Sequence, residues 1–136
     1  MKAVVLAGGK GRRLAPYTQI IPKPLMPIGD KPILEILLRQ MKRAGIRRVT
    51  LTVGYLGDLL RIFFRDGEHL GLKIDYVMEA KPLGTSGPLA NVEGLDGTFL
   101  VTNGDVLTDL VFADLIAYHK QQGGIATIAT HKRKVD

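Results

Sequence analysis

Residues 1–35 read MKAVVLAGGKGRRLAPYTQIIPKPLMPIGDKPILE, and three features in them decide how the rest of the chain is read. A run of strand length, Lys2 to Ala7, stops at Gly8-Gly9-Lys10-Gly11-Arg12-Arg13. Lys23 then stands between Pro22 and Pro24, and an apolar stripe of helical period opens at Pro32. A buried strand, a glycine turn and an amphipathic helix in this order are the start of a βαβ unit.

The glycines at 8, 9 and 11 let the backbone turn sharply and approach a ligand, with amide N–H groups directed inward as an anion nest. Arg12 and Arg13 add forked donors whose geometry suits phosphate oxygens, and Lys10 adds a mobile charge. The spacing is neither that of a Walker A loop nor that of the dinucleotide fingerprint, and a glycine turn after a strand is also a common structural device. Lys23 is expected on a stiff, extended loop, since the flanking prolines fix φ and disfavour helix. Such a lysine either faces the glycine loop and stabilises charge on a reacting phosphate, or is the incidental surface residue of a rigid connector.

Further along, apolar blocks of strand length recur at Ala3 to Leu6, Val49 to Val53, Ile74 to Met78, Phe99 to Thr102 and Ile125 to Ala129. Helical stripes separate them at Pro32 to Ala44, closed by Gly45, at Gly57 to Arg65, and at Val111 to Gln122, closed by Gly123-Gly124. Ser86 to Val92 reads as a weaker helix. The pattern predicts a doubly wound, three-layer α/β/α domain with a Rossmann-like, mostly parallel sheet, covering residues 1–136 without an internal boundary. In such folds ligands bind beyond the carboxyl ends of the strands. The glycine segment, Glu79 to Thr85 and Asn103 to Asp105 all fall at such ends.

Asp105, beside Gly104 at a strand end, offers a hard oxygen ligand suited to Mg²⁺; its alternative role is an Asx turn or helix cap. Asp109 lies closer to the helix beginning near Val111, so the cap is assigned to Asp109 and the metal to Asp105.

Bulk composition narrows the classes. The chain has 136 residues, 46% hydrophobic, a formal net charge of +6 and no cysteine. Disulfides, thiolate nucleophiles and cysteine-ligated metals are excluded. No run approaches a membrane span and the N-terminus lacks a signal-peptide pattern, so no membrane partner and a cytoplasmic location are expected. The positive balance suits an anionic partner, though His131-Lys132-Arg133-Lys134 reads as solvated surface. Aromatics at 6%, not clustered among basic residues, disfavour a nucleic-acid partner.

The stretch LAGGKGRRLAPYTQIIPKPLMPIGDKPILE resembles the signature of the sugar-1-phosphate nucleotidylyltransferases, and GTSGPL at 84–89 and NGD at 103–105 resemble its next landmarks in order. The resemblance covers essentially the whole chain. It implies an enzyme in which a sugar 1-phosphate oxygen attacks the α-phosphorus of an NTP with Mg²⁺ bound, giving an NDP-sugar and pyrophosphate. It further implies that Leu6, Ala7, Gly8, Gly9, Gly11 and Arg12 line the nucleotide, with Gly84 and Thr85, and that Arg13 holds the leaving phosphates. Lys23 would reach the reacting phosphates and Asp105 the metal. Arg12 replaces the family's more usual threonine. Glu79 precedes the second landmark, and an acceptor-only carboxylate facing the base suits the adjacent N1–H and N2 amino donors of guanine. That points to GTP and to the mannose-1-phosphate guanylyltransferase branch; thymidylyl-, uridylyl- or cytidylyltransferases of glucose 1-phosphate, and a noncatalytic nucleotide-sensing module of the same fold, are the alternatives.

Members of that family continue well past the length of this chain, with a second half carrying most of the sugar pocket, a Glu-Lys-Pro segment and a second metal-binding aspartate. The 136 residues are therefore expected to be the N-terminal nucleotide-binding part, C-terminally truncated, with little turnover of its own. The sugar and the oligomeric state, homo-oligomer included, stay open.

Overall fold

In a computed structural model of the chain, the structure describes residues 1–8, 21–54, 56–79 and 87–133. Strands β1 (Lys2–Ala7), β4 (Arg48–Val53), β5 (Lys73–Met78) and β6 (Phe99–Asn103) form one four-stranded sheet. All its pairings are parallel and the order is β5-β4-β1-β6. The chain thus grows from β1 toward β5, then crosses back to place β6 on the other side of β1. That reversal makes the β1/β6 boundary the switch point at which the loops leaving the strands diverge, the usual ligand crevice of a doubly wound sheet.

Alternation sorts the strand residues between two faces. Ala3, Val5 and Ala7 pair in register with Val49, Leu51 and Val53, and share their face with Ile74, Tyr76 and Leu100. Against this face pack Leu34, Leu37, Leu38 and Met41 of helix α1 (Ile33–Arg43), Leu60 and Phe64 of α2 (Gly57–Phe64), and Phe112 of α3 (Phe112–Gln122). The opposite face is covered too, since Val4, Thr50 and Thr52 have no exposure. The β5-to-β6 crossover contributes Val92, which is buried apart from the helical core, and Lys2 Nζ donates to Glu93 O across 2.8 Å, tying the crossover to the start of β1.

The helices end as their sequences predict. Gly45 follows α1 at φ +90°, and Gly123 closes α3 at φ +69° with its N–H donating to His119 O, both in the left-handed region glycine favours. Glu35 in the first turn of α1 and Lys42 and Arg43 in the last complement the helix dipole, and Arg39 bonds back to Glu35 at 2.8 Å.

Four expectations need correction. Ser86 lies outside the described residues, and the rest of its predicted helix is a short 3-10 turn, Gly87–Asn91. Pro22 and Pro24 do not hold Lys23 in extended backbone: Lys23–Leu25 is a 3-10 turn, closed by Leu25 N to Pro22 O at 2.9 Å. A proline is tolerated in a first turn, where its missing N–H has no helical partner to lose. Asp109 does not cap α3, whose N-cap is Val111 without a side-chain bond; Thr108 Oγ1 instead accepts from Leu110 N at 3.1 Å and makes the turn. Finally, Ile125 to Ala129 is not a strand. The segment runs beside the free edge of β6 across a gap of about 1,040 Å³, held by a 2.8 Å bond between Thr127 Oγ1 and His119 Nδ1, and without a ladder partner its strand propensity has nothing to act on.

The sequence reading missed a small hairpin, β2 (Pro27–Ile28) against β3 (Lys31–Pro32). Its connection is Gly29-Asp30, with Gly29 at φ +66°, as the first position of a tight hairpin turn requires.

Candidate functional site

The site is built on the row of residues that follows the strand ends. Leu6 pairs with Thr52 and Thr52 with Val77, so one pleat further Gly8, Gly54 and Glu79 come side by side on the same face. Their packing is close: a Cβ at Gly54 would stand 3.2 Å from Gly8 O, and one at Gly8 would stand 2.5 Å from Glu79 Oε2. Gly8 therefore has to be glycine for the Glu79 carboxylate to rest over the end of β1. The Glu79 backbone is fixed as well, its N–H donating to Val53 O at 2.7 Å. Beneath this floor the Thr50 hydroxyl donates to Asp75 Oδ1 at 2.6 Å, while the buried Thr52 Oγ1 has no hydrogen-bond partner among the described residues.

On the other side of β1, Gly104 N donates to Leu6 O at 3.0 Å, extending the β1–β6 ladder by one bond. The turn then delivers Asp105 to the crevice. Pro24 packs against the same point, since a Cβ at Gly104 would meet Val5, Ala7 and Pro24 at 3.3–3.4 Å. The consequence is an ion pair: Lys23 Nζ lies 2.6 Å from Asp105 Oδ2, with both side chains about one-third exposed. The loop after Asp105 is pinned to α1 by Gln40 Nε2, which donates to Thr108 O at 2.7 Å.

Of the residues singled out in the sequence, Leu6, Ala7, Gly8, Lys23, Glu79 and Asp105 are described, and all lie at these strand ends or at the 3-10 turn beside them. Gly9, Gly11, Arg12, Arg13, Gly84 and Thr85 lie outside the described residues. Gly54 was missed. It follows an apolar strand just as Gly8 does, and that parallel was the available signal. Among the described residues there is no group of three or more His, Cys, Asp or Glu side chains able to hold a metal. Asp105 fits Mg²⁺ as a single carboxylate contribution, the mode in which substrate phosphates complete the shell. No helix of the described residues is long and apolar enough to cross a membrane.

A parallel sheet with glycines at its strand ends, and with a carboxylate, a lysine and an aspartate gathered around them, is a doubly wound α/β domain with a polar crevice where such folds bind ligands. The family model described as "Nucleotidyl transferase" matches residues 2–136, and the chain belongs to that family. It is 41% identical over 97% of its length to a probable mannose-1-phosphate guanylyltransferase 1 of Oryza sativa subsp. japonica, covering 38% of that protein. It is 38% identical over 96% of its length to a UTP–glucose-1-phosphate uridylyltransferase of Synechocystis sp., covering 37% of it. Among solved structures, a putative glucose-1-phosphate thymidylyltransferase from Bacillus anthracis in complex with a sucrose superposes with a TM-score of 0.81 at 27% identity, over 90% of this chain and 51% of that one. HddC from Yersinia pseudotuberculosis complexed with GMP-PN superposes with a TM-score of 0.73 at 31% identity, over 87% of this chain and 53% of that one. The chain thus spans well under half the length of the curated relatives it matches.

Proposed function

We propose that these residues form the N-terminal, nucleotide-binding part of an enzyme that transfers a nucleotidyl group from GTP to a sugar 1-phosphate, releasing pyrophosphate. The observation that carries this reading is the convergence of Lys23 and Asp105, 2.6 Å apart, beside the Gly8–Glu79 contact, which spans the end of β4 between β1 and β5. In the transfer an oxygen of the sugar phosphate bonds to the α-phosphorus as the bond to the β-phosphate oxygen breaks, and pyrophosphate leaves with that electron pair. Charge builds on the phosphate oxygens, where a preorganised cation is worth most. Lys23 supplies that cation from a turn whose neighbour Pro24 is buried. Arg13 takes the leaving phosphates in the same reading, with Gly9, Gly11 and Arg12 around them. Asp105 would hold Mg²⁺ together with phosphate oxygens, and the ion would supply further neutralisation of that charge.

The base preference rests on Glu79. Its carboxylate over the end of β1 accepts hydrogen bonds and offers none, which matches the paired donors of guanine and opposes the flanking acceptors of uracil and thymine. Leu6, Ala7, Gly84 and Thr85 belong to the same base-side wall in this reading, and the cytoplasm is the matching compartment. The guanylyltransferase relatives favour GTP over the uridylyl and thymidylyl alternatives.

Calorimetric titration with GTP, UTP, dTTP, CTP and ATP, each with Mg²⁺, tests the reading. GTP should bind selectively, Lys23→Ala should lose binding by at least about tenfold, and Glu79→Gln should erase the preference for GTP over UTP. An unchanged preference in Glu79→Gln would sink the guanine assignment, and no binding of any nucleotide would sink the reading itself.

A further inference from the structure

Lys23 and Asp105 bond to each other in the structure, although the function above gives them different ligands: phosphate for the lysine, metal for the aspartate. Most exposed lysine–carboxylate pairs depend on two long side chains finding one geometry and contribute little. This one is set by backbone. The 3-10 turn Lys23–Leu25 is seated through the buried Pro24, Gly104 closes on Pro24, and Gly104 N is bonded to Leu6 O at the end of β1. Both partners are carried on fixed supports, so the pair is a built feature of the crevice.

Resting on the reading above, we infer that Lys23 serves as a stand-in cation for Asp105, and that binding of a metal-complexed triphosphate proceeds by exchange of partners. Without metal, the ammonium covers one carboxylate oxygen of Asp105 and is itself held away from incoming phosphate. When metal and triphosphate arrive together, Asp105 Oδ2 passes from ammonium to metal and Lys23 Nζ passes to a phosphate oxygen. Each of the two side chains keeps an opposite-charge contact through the exchange, so neither charge is stranded in the partly desolvated crevice. A triphosphate arriving alone must break the pair and leave Asp105 facing phosphate with no cation between them. Part of the metal dependence of nucleotide binding is therefore release of Lys23.

The test is titration of the 136-residue chain with GTP, in EDTA and again in Mg²⁺, using wild type, Asp105→Asn, Lys23→Met and the double variant. In EDTA, Asp105→Asn should bind GTP about fivefold more tightly than wild type, because the lysine is freed. In Mg²⁺ the same substitution should weaken binding, reversing the sign. In the Lys23→Met background the EDTA gain should shrink to less than about twofold. A gain of equal size with and without Lys23 would mean that the carboxylate acts by simple repulsion, and the exchange is wrong; so would equal affinities of wild type and Asp105→Asn in EDTA. Failure of every variant to bind GTP in Mg²⁺ removes the functional reading and the exchange with it, whereas GTP binding without the sign reversal removes the exchange alone. A nucleotide-free readout stands beside these: the Lys23 Nζ resonance in NMR should shift between wild type and Asp105→Asn, and an identical signal in both overturns the resting pair.

Discussion

The β5-β4-β1 side of the sheet and the β6-α3 side are made from similar sequences and end up packed very differently. On the first, Val4, Val5, Val49, Leu51 and Val53 have no exposure, and neither do Leu34, Leu37, Leu38, Met41, Leu60 and Phe64 of the covering helices. On the second, Phe112 is the sole buried residue of α3, and Val101, Leu107, Val111 and Tyr118 are exposed. Ile125 and Ile128 are exposed at 104% and 82%. A strand-like sequence becomes a strand only where a neighbouring backbone takes its hydrogen bonds, and β6 offers its free edge across a gap rather than in a ladder.

Substitutions on the two sides should separate them most clearly in stability. Phe64→Ala should cost about 3–5 kcal/mol in urea unfolding, the ordinary loss for a fully buried phenylalanine. Phe112→Ala, beside a gap into which the surroundings can relax, should cost about 2–3 kcal/mol. Equal losses would mean that the β6-α3 side is as tightly packed as the other.

Next in size is Thr50→Val, which removes the 2.6 Å bond to Asp75 from the β4–β5 pair and should cost about 1 kcal/mol. A smaller effect should appear at high pH. Burial pushes the Tyr76 hydroxyl up to about 12, against a favourable pull from the Arg61 guanidinium 5.1 Å from the ring, while its Oη donates to Arg65 O at 2.7 Å. The folded state thus holds the phenolic proton more tightly than the unfolded chain. This contribution is complete below the unfolded value near 10 and is lost as pH rises through about 12, so chemical unfolding should become easier across that window, and Tyr76→Phe should flatten the decline. The smallest effect belongs to Ile128→Ser, which should leave the unfolding free energy within about 0.5 kcal/mol of wild type while lowering concentration-dependent association in sedimentation. A large loss of stability there would show that the segment is packed after all.

Local signals were legible where one element carries its own answer. The strands expected at Ala3, Val49, Ile74 and Phe99 and the three longer helices lie within one or two residues of their observed bounds, because apolar period and terminal glycines are written in contiguous residues. The strand at Ile125 failed because its partner is not local. The site divides the same way. Glycine at 8, lysine at 23, the carboxylate at 79 and the aspartate at 105 could be picked out by type and by position after a strand. That Lys23 would meet Asp105, or that Gly8 would lie under Glu79, depends on strand order and register, which no short window contains.

The contact between Gly104 and Pro24 makes position 104 a mechanical shim. A methyl group added there would press on Val5, Ala7 and Pro24 at 3.3–3.4 Å, and of these neighbours the 3-10 turn lies outside the sheet. Displacing that turn by a few tenths of an ångström would lengthen the Lys23–Asp105 separation while leaving both charges intact. The electrostatic setting of the crevice is thus adjustable by volume alone, at a residue that carries no charge and no side chain.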